Sequence, residues 1–318
     1  MRRLELKAKL GRPELARLER EKPWINSQFI GDRYVIFPED DRWRVSGGYI
    51  DPDEDVEGYY GEELVFTLCK NVVSEPLVRL AWDNLRTGGD HIRNSSRGRS
   101  VGRGDPAHQD QEALEKVAGF MDRQGGRFQY CRRTSWTQEN QESLDIGMPY
   151  VQRVDQVFCC YLPDRHAVQN AAANKAPWYR LPGTSISSIT INVNVRTAPH
   201  RDTGDYAPGF GVITVMTGRP ETPGGGELIL PKYAAGIRAR NGDVLLINVH
   251  ELHCNAPFLI DSQPVIKGFD RLAMVFYLRE RMQECLCPED ERRRARQRMA
   301  EARKRRKTNG GGAHEEGQ

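Results

Sequence analysis

The clearest pattern in the chain is an alternation of apolar and polar residues in its second half. The segment Ser185–Arg196 alternates in this way over its whole length, which is typical of a half-buried β-strand. Further short strands are predicted between turns rich in Gly, Pro, Asn and Asp. They cover residues 209–217, 226–231, 236–240, 243–249 and 271–278. Short strands at this spacing predict a double-sheet jelly roll over about residues 185–282.

The first half of the chain predicts mostly helices. Apolar residues recur at helical spacing in residues 62–70, 75–83, 109–123 and 142–160, and one strand is predicted at Tyr34–Phe37. Residues 1–22 are charged, carry leucines at helical spacing and break near Gly11–Pro13. We expect them to form a solvated N-terminal arm. Together, these patterns indicate an α+β fold.

Composition limits the class of protein. The chain has 318 residues, a hydrophobic fraction of 38% and a mean hydropathy of -0.67, which still allows a buried core. No segment reaches the roughly 20 apolar residues of a membrane span, and no signal-peptide core follows the N-terminus. A soluble intracellular protein is therefore expected. The seven cysteines form no C-x-x-C pair, so we predict reduced thiols rather than a zinc ribbon.

The net charge of +3 is uneven, because residues 288–318 carry ten basic and six acidic side chains. Acidic residues begin this segment and basic residues end it, an order that suits a helix dipole. The run Arg303–Lys307 is typical of a nuclear-localisation signal or a nucleic-acid patch, although a solvated helix would look the same. We predict a basic helix followed by a disordered tail at 308–318, and a nuclear location.

A second basic segment lies at residues 86–104, where five arginines are mixed with glycine and serine and no hydrophobic period is present. Such a loop could contact DNA phosphates, or it could be an ordinary disordered surface loop. The candidate DNA contacts within it are His91, Arg93, Arg97 and Arg99.

The candidate chemistry centres on His200 and Asp202. On an extended strand, residues two apart point to the same side, so both side chains can face one metal ion. His253 from another strand would complete two imidazoles and one carboxylate, the ligand set of oxygen-activating ferrous sites. Arg271 suits a co-substrate carboxylate, because guanidinium binds carboxylate through two parallel hydrogen bonds. A lone His-x-Asp can also be a surface turn.

The order of these parts resembles the Fe(II)/2-oxoglutarate dioxygenases: His-x-Asp at residues 200–202, a turn at Asn241–Asp243 leading to His253, and Arg271 opening the last strand. The segments Ala198–Asp205 and Asp270–Arg279 look like the TET/JBP group, which oxidises pyrimidine bases in nucleic acid. This resemblance implies a jelly-roll core braced by N-terminal helices within one catalytic domain at residues 23–287. It also implies Fe(II), 2-oxoglutarate and O2 as cofactors.

The resemblance also suggests residue roles. His253 is preferred to His250 as the metal ligand, because the class often carries a proline shortly after this histidine and Pro257 lies four residues on. Asn194 and Arg196 are candidates to hold the other end of 2-oxoglutarate. In the group, the residue three after the metal aspartate often contacts the target base, and here that residue is Asp205.

An ionised Asp205 would accept a hydrogen bond from the N4 amino group of cytosine, which favours 5-methylcytosine as the substrate. A protonated Asp205 would reverse that preference. The methyl group of a stacked base is out of reach of a buried iron, so the base must flip out of methylated DNA. Thymine hydroxylation, N6-methyladenine demethylation, a protein substrate and a non-catalytic DNA-binding relative are the alternatives. We expect a monomer.

Overall fold

The computed structural model describes residues 1–22, 25–30, 33–38, 45–50, 52–88, 90–91, 114–123, 130–218, 226–256, 259–260, 263–264 and 270–310. The strands in these residues are β1 (Arg2–Glu5), β2 (Ile25–Ile30), β3 (Arg33–Pro38), β4 (Val45–Ile50), β5 (Val56–Tyr60), β6 (Glu63–Cys69), β7 (Asp90–His91), β8 (Leu114–Met121), β9 (Arg132–Arg133), β10 (Ser188–Val193), β11 (Gly211–Thr217), β12 (Leu228–Leu230), β13 (Ala235–Ile237), β14 (Val244–Ile247), β15 (Cys254–Asn255), β16 (Leu259–Ile260), β17 (Gln263–Pro264) and β18 (Arg271–Tyr277). The helices are α1 (Arg12–Glu21), α2 (Glu75–Leu85), α3 (Ser135–Glu139), α4 (Gln141–Tyr161), α5 (Pro163–Ala173) and α6 (Pro288–Gly310). Short 3-10 helices lie at Pro177–Tyr179, Pro231–Tyr233 and Glu280–Glu284.

Two sheets form the core of the molecule. The larger sheet has the strand order β1-β5-β6-β14-β11-β18-β10-β8-β7, with β9 paired to β8. The smaller sheet has the order β15-β12-β13-β4-β3-β2. Strand β18 pairs antiparallel with β11 on one side and with β10 on the other, so Arg271 begins a central strand. The predicted jelly-roll strands are confirmed, with ends that differ by a few residues.

Alternate residues of the central strands face two different cores. Val244 and Leu246 of β14 belong to a cluster that includes residues of α2 and α4, whereas Leu245 and Ile247 belong to a cluster that includes residues of β12 and β13. This alternation follows from the period of two along a strand. The larger sheet is therefore covered by helices on one face and by the smaller sheet on the other. The predicted α+β architecture, a jelly roll braced by helices, is confirmed.

Two predicted helices are strands in the structure. Residues 109–123 contain β8, which pairs with β10 from Leu114↔Val193 to Gly119↔Ser188. Their helix-forming composition is overridden by this pairing, and Gly119 has φ +91, which a helix would not contain. Residues 62–70 contain β6, where Val65 to Cys69 are all buried because both faces of the strand are covered. A short apolar run of this kind has no period that separates strand from helix.

The N-terminal segment is also different from the prediction. Arg2–Glu5 is a strand that pairs in parallel with β5, and the helix begins only at Arg12. Leu15 and Leu18 of this helix are buried against Leu252. Residues 1–22 are therefore packed onto the domain, and the prediction of a solvated arm is wrong.

The C-terminal segment confirms the predicted helix, but α6 continues to Gly310 and so includes residues 308–310 of the predicted disordered tail. A disulfide bond links Cys131 to Cys285 across 154 residues of sequence, which corrects the prediction of reduced thiols for this pair. The folding of the chain brings these two cysteines into one apolar cluster with Tyr179 and Leu278, a proximity that no local spacing reveals. Among the described residues, no helix is long and apolar enough to cross a membrane.

Candidate metal centre and substrate pocket

The structure brings His200, Asp202 and His253 together. One ligand atom from each side chain lies within 4.8 Å of the others. The Nε2 atom of His200 is 3.6 Å from Oδ1 of Asp202, and the Nε2 atom of His253 is 3.7 Å from Oδ2 of the same carboxylate. Two imidazole nitrogens and one carboxylate therefore face a common point, as the sequence predicted. His250 is not part of this group.

Backbone pairing fixes the positions of the three side chains. His200 and His253 form an isolated antiparallel bridge, with both N–H···O distances at 3.0 Å. The amide of Asp202 donates to the carbonyl of Val249 at 3.1 Å. The His-x-Asp segment is thus held in extended form against residues 249–253, although it lies outside the regular strands.

The two imidazoles are oriented for metal binding. The Nδ1 atom of His200 lies 2.8 Å from the carbonyl of Ala198, and that of His253 lies 2.9 Å from the carbonyl of Glu251. A carbonyl can only accept, so each Nδ1 carries the proton and each Nε2 presents its lone pair to the centre. Burial, together with the neighbouring His253, lowers the pKa of His200 to about 4, which keeps this imidazole neutral. The donor set suits a ferrous ion.

Helix α1 supports this centre from behind, a role that was not predicted. Leu15 and Leu18 pack on Leu252, the residue before His253. Arg201, between the two motif ligands, donates to Glu19 at 3.3 Å and to the carbonyl of His250. In the sequence, the helical spacing of the leucines was the feature that indicated packing of this segment against the rest of the domain.

Arg271 lies buried at the wall of a cavity of about 1050 Å³, together with Gly226, Glu227 and Asn255. Its Nη2 donates to the carbonyl of Gly226 at 3.0 Å. Burial lowers the pKa of Arg271 to about 10 against the opposing effect of Glu227, so the guanidinium remains charged at neutral pH. A buried cation at a cavity wall can bind a carboxylate of the size of 2-oxoglutarate.

Of the two other predicted co-substrate residues, Asn194 contacts Arg271, and Arg196 contacts Asn255, which lines the same cavity as Arg271. Asn194 has φ 54, and its side-chain oxygen accepts from the amide of Arg271 at 2.8 Å. This bond anchors the start of β18, so Asn194 positions Arg271. Arg196 is buried and donates to the carbonyl of Asn255 at 3.4 Å. Direct contact of either side chain with 2-oxoglutarate stays a prediction.

Asp205 occupies a different edge of the site. It forms an isolated bridge with Arg279, and the next amide, that of Tyr206, donates to Leu278 at 2.8 Å. A β-carbon placed on Gly204 would lie 3.2 Å from Nη2 of Arg279, so this guanidinium covers the turn. Burial and the charge of Asp202 raise the pKa of Asp205 well above its usual value, and Arg279 opposes this shift.

Arg279 is itself held by Asp122, a buried residue at the end of β8, through an Nε–Oδ1 contact of 2.7 Å. Neither Asp122 nor Arg279 was predicted to belong to the site. Asp122 lies inside a segment that was predicted to be a helix, so its approach to β18 could not be anticipated.

The predicted basic loop is only partly described. Arg86, at its start, forms an ion pair with Asp270 and lies over the ring of Trp82 at 4.9 Å, so it has a structural role. The backbone of His91 belongs to β7, but its side chain lies outside the described residues. Arg93, Arg97 and Arg99 lie outside them as well.

A jelly roll that brings two histidines and one carboxylate together and carries a buried arginine on a central strand defines an Fe(II)/2-oxoglutarate oxygenase. The Tet_JBP family, described as an oxygenase domain of the 2OGFeDO superfamily, matches residues 116–280, which is more than half of the chain. The protein belongs to this TET/JBP family. Its cofactors are accordingly Fe(II), 2-oxoglutarate and O2.

Curated relatives are similar over more than half of the chain. The thymine dioxygenase JBP1-B of Trypanosoma cruzi (strain CL Brener) is 33% identical over 189 residues, which cover 58% of this chain and 21% of that protein. The bifunctional helicase and thymine dioxygenase JBP2 of Leishmania tarentolae is 34% identical over 164 residues, which cover 52% of this chain and 14% of that protein. The chain thus spans only about a fifth or less of the length of these relatives.

Among solved structures, NgTET1 in complex with 5mC DNA is similar with a TM-score of 0.51 and 15% identity, covering 74% of this chain and 84% of that one. At this level of identity the similarity supports the fold alone.

Proposed function

We propose that this protein hydroxylates the 5-methyl group of thymine in DNA. The observation that carries the proposal is the 33% identity to a thymine dioxygenase over 189 residues, which are 58% of this chain. The prediction of 5-methylcytosine remains as the second candidate. Both substrates present the same methyl group to the same chemistry, so the choice between them depends on the side chains that meet the rest of the base.

In this proposal His200, Asp202 and His253 hold Fe(II), and Arg271 binds one carboxylate of 2-oxoglutarate. When bound, the metal and co-substrate couple the conversion of 2-oxoglutarate and O2 into succinate and CO2 to the insertion of one oxygen atom into the methyl C–H bond. The protein keeps the His200 imidazole neutral and the Arg271 guanidinium charged. Burial of Arg271 strengthens its attraction for the carboxylate and excludes water from it.

We propose that the side chain of Asp205 recognises the base by a hydrogen bond. A neutral carboxylic acid can donate a hydrogen bond to O4 of thymine, whereas a carboxylate can only accept one from N4 of cytosine. The elevated pKa of Asp205 supports the neutral form. The adjacent Arg279 favours the ionised form, and this is the specific observation that keeps 5-methylcytosine as a candidate.

The proposed partner is DNA. In a DNA duplex the methyl group of a stacked pyrimidine faces the major groove, at a distance from any buried site. The target base must therefore leave the stack, at a cost of roughly a few kcal/mol that is lowest for unpaired bases. A monomeric state is proposed as well, and the basic run at residues 303–307 is the ground for proposing a nuclear location.

The direct test is to incubate the protein with Fe(II), 2-oxoglutarate and matched duplexes that differ only in thymine, 5-methylcytosine or N6-methyladenine content. Digestion to nucleosides and mass spectrometry should detect 5-hydroxymethyluracil. The amount of succinate released should equal the amount of this product. The control is the variant His200→Ala/Asp202→Ala, which should bind DNA and release no succinate. If 5-hydroxymethylcytosine forms faster, the second candidate replaces the first. If neither product forms in the presence of iron, the enzymatic proposal is wrong.

A further inference from the structure

We propose that the solvent-facing side of α6 binds the phosphate backbone of DNA next to the target base. This inference rests on the proposed DNA substrate and adds a second binding surface outside the metal centre. It depends on three features: where the helix begins, which of its residues face solvent, and the charge they carry.

The first turn of α6 is anchored by Glu291, whose side chain is buried. Its carboxylate accepts from Nη2 of Arg123 at 2.8 Å, from the amide of Cys131 at 3.1 Å and from the amide of Leu286 at 3.0 Å. The disulfide between Cys131 and Cys285 joins the same two segments. The direction in which the helix leaves the domain is therefore fixed at its root.

This first turn of α6, around Glu291, lies at the base-reading edge of the site. Arg123 binds Glu291, and the preceding residue, Asp122, binds Arg279, which bridges to Asp205. Consecutive residues at the end of β8 thus hold the basic helix and the arginine that covers the turn of Asp205. DNA that presents a base to Asp205 must pass near this corner.

Three exposed basic residues of α6 share one side of the helix. A helix turns once in about 3.6 residues, so positions 293, 296 and 304 share a side, opposite to positions 291 and 295. Glu291 and Ala295 are buried, and Arg293, Arg296 and Lys304 are exposed, with Arg293 also paired to Asp290 at 2.8 Å. The face runs along the helix over about 16 Å, at roughly 1.5 Å per residue.

Charge selects the partner. After Glu291 the helix carries ten basic residues and a single acidic one, Glu301, which makes it strongly cationic. Such a surface attracts the closely spaced phosphates of DNA. A membrane surface or an apolar protein groove would need a hydrophobic stripe, and the described part of α6 exposes one large apolar side chain, Met299.

The test compares wild type with the variant Arg293→Gln/Arg296→Gln/Lys304→Gln. Glutamine keeps the helix propensity and removes three charges. The dissociation constant for a thymine-containing duplex is measured by fluorescence anisotropy at several salt concentrations. We expect weaker binding and a fall in the slope of log K against log[salt] of roughly 0.9 for each phosphate that the variant no longer neutralises. KM for DNA should rise while kcat at saturating DNA stays unchanged.

Two controls separate position from overall charge. The variant Lys7→Gln/Lys9→Gln/Arg79→Gln removes three exposed charges elsewhere and should leave the slope unchanged. The variant Arg293→Lys/Arg296→Lys keeps the charges and should bind as wild type does.

If the α6 variant retains the wild-type slope while the wild type oxidises DNA, this inference is wrong and the proposed function stands. If α6 instead binds an acidic import receptor and the α6 variant binds DNA as the wild type does, this inference is also wrong and the proposed function also stands. If the wild type oxidises no DNA, the proposed function fails first.

Discussion

The metal-binding side and the base-reading side of the site are built in different ways. On the metal side, backbone hydrogen bonds place the ligands: His200 pairs with His253, and each Nδ1 bonds to a carbonyl two residues away. On the base-reading side, the backbone of Asp205 also forms a bridge, but the charge of its carboxyl group depends on charged side chains, through Arg279 to Asp122. The first arrangement is part of the fold, whereas the second is carried by side chains that can change without altering the fold.

This difference suggests how one chemistry can serve several bases. Substitution at Asp122 or Arg279 would alter the charge around Asp205 and leave the strands that hold the metal ligands intact. Function then varies in the site while the fold is retained. Variants that change one of the two sides can show whether the other side responds.

The largest effect is expected from removal of a metal ligand. His253→Ala should abolish turnover and reduce Fe(II) affinity by more than the roughly 100-fold that follows from mutating a residue that only orients a ligand. Iron content and succinate release measure this. The matched control is His250→Ala, three residues away and outside the ligand group, which should retain both. Equal losses in the two variants would mean that His253 acts through the fold and not as a ligand.

The next effect concerns the co-substrate. Arg271→Lys keeps a positive charge but loses the paired donors, so KM for 2-oxoglutarate should rise about 10-fold or more, as expected for one charged hydrogen bond. The dissociation constant for DNA should stay the same. The control, Arg238→Lys, alters a residue that pairs with Glu227 in the same cavity. A rise in KM for both variants would assign the effect to the cavity as a whole.

The sequence was most informative where local pattern and backbone pairing agree. His200, Asp202, His253 and Arg271 lie on or beside short alternating strands, and the structure brings the three metal-ligand candidates together. Asp122 could not be assigned, because β8 has the composition of a helix and becomes a strand only through its pairing with β10. The role of α1 behind Leu252 and the disulfide were missed for the same reason: both depend on contacts distant in sequence.

Base selectivity should depend on pH through Asp205. Its folded-state pKa is raised, so the neutral acid persists to a higher pH than in the unfolded chain, and folding stability falls as pH rises from the unfolded-state pKa to the folded-state pKa. The ratio of kcat/KM for thymine to that for 5-methylcytosine should therefore fall as pH rises through this pKa. Asp205→Asn cannot ionise and should show a ratio independent of pH. A ratio that rises with pH in wild type would exclude a donating role for Asp205.

The smallest effect is expected from Asp122→Asn, which keeps an acceptor for Arg279 but removes the charge that holds it. Arg279 should then interact more strongly with Asp205 and favour its ionised form, because the guanidinium loses its other anionic partner. We expect the thymine preference to fall about 5-fold, the equivalent of roughly 1 kcal/mol. Competition between the two duplexes, with products counted by mass spectrometry, measures the ratio. KM for 2-oxoglutarate should stay constant, as in the control Asp145→Asn on the exposed face of α4. A lower melting temperature with an unchanged ratio would show that Asp122 only stabilises the fold.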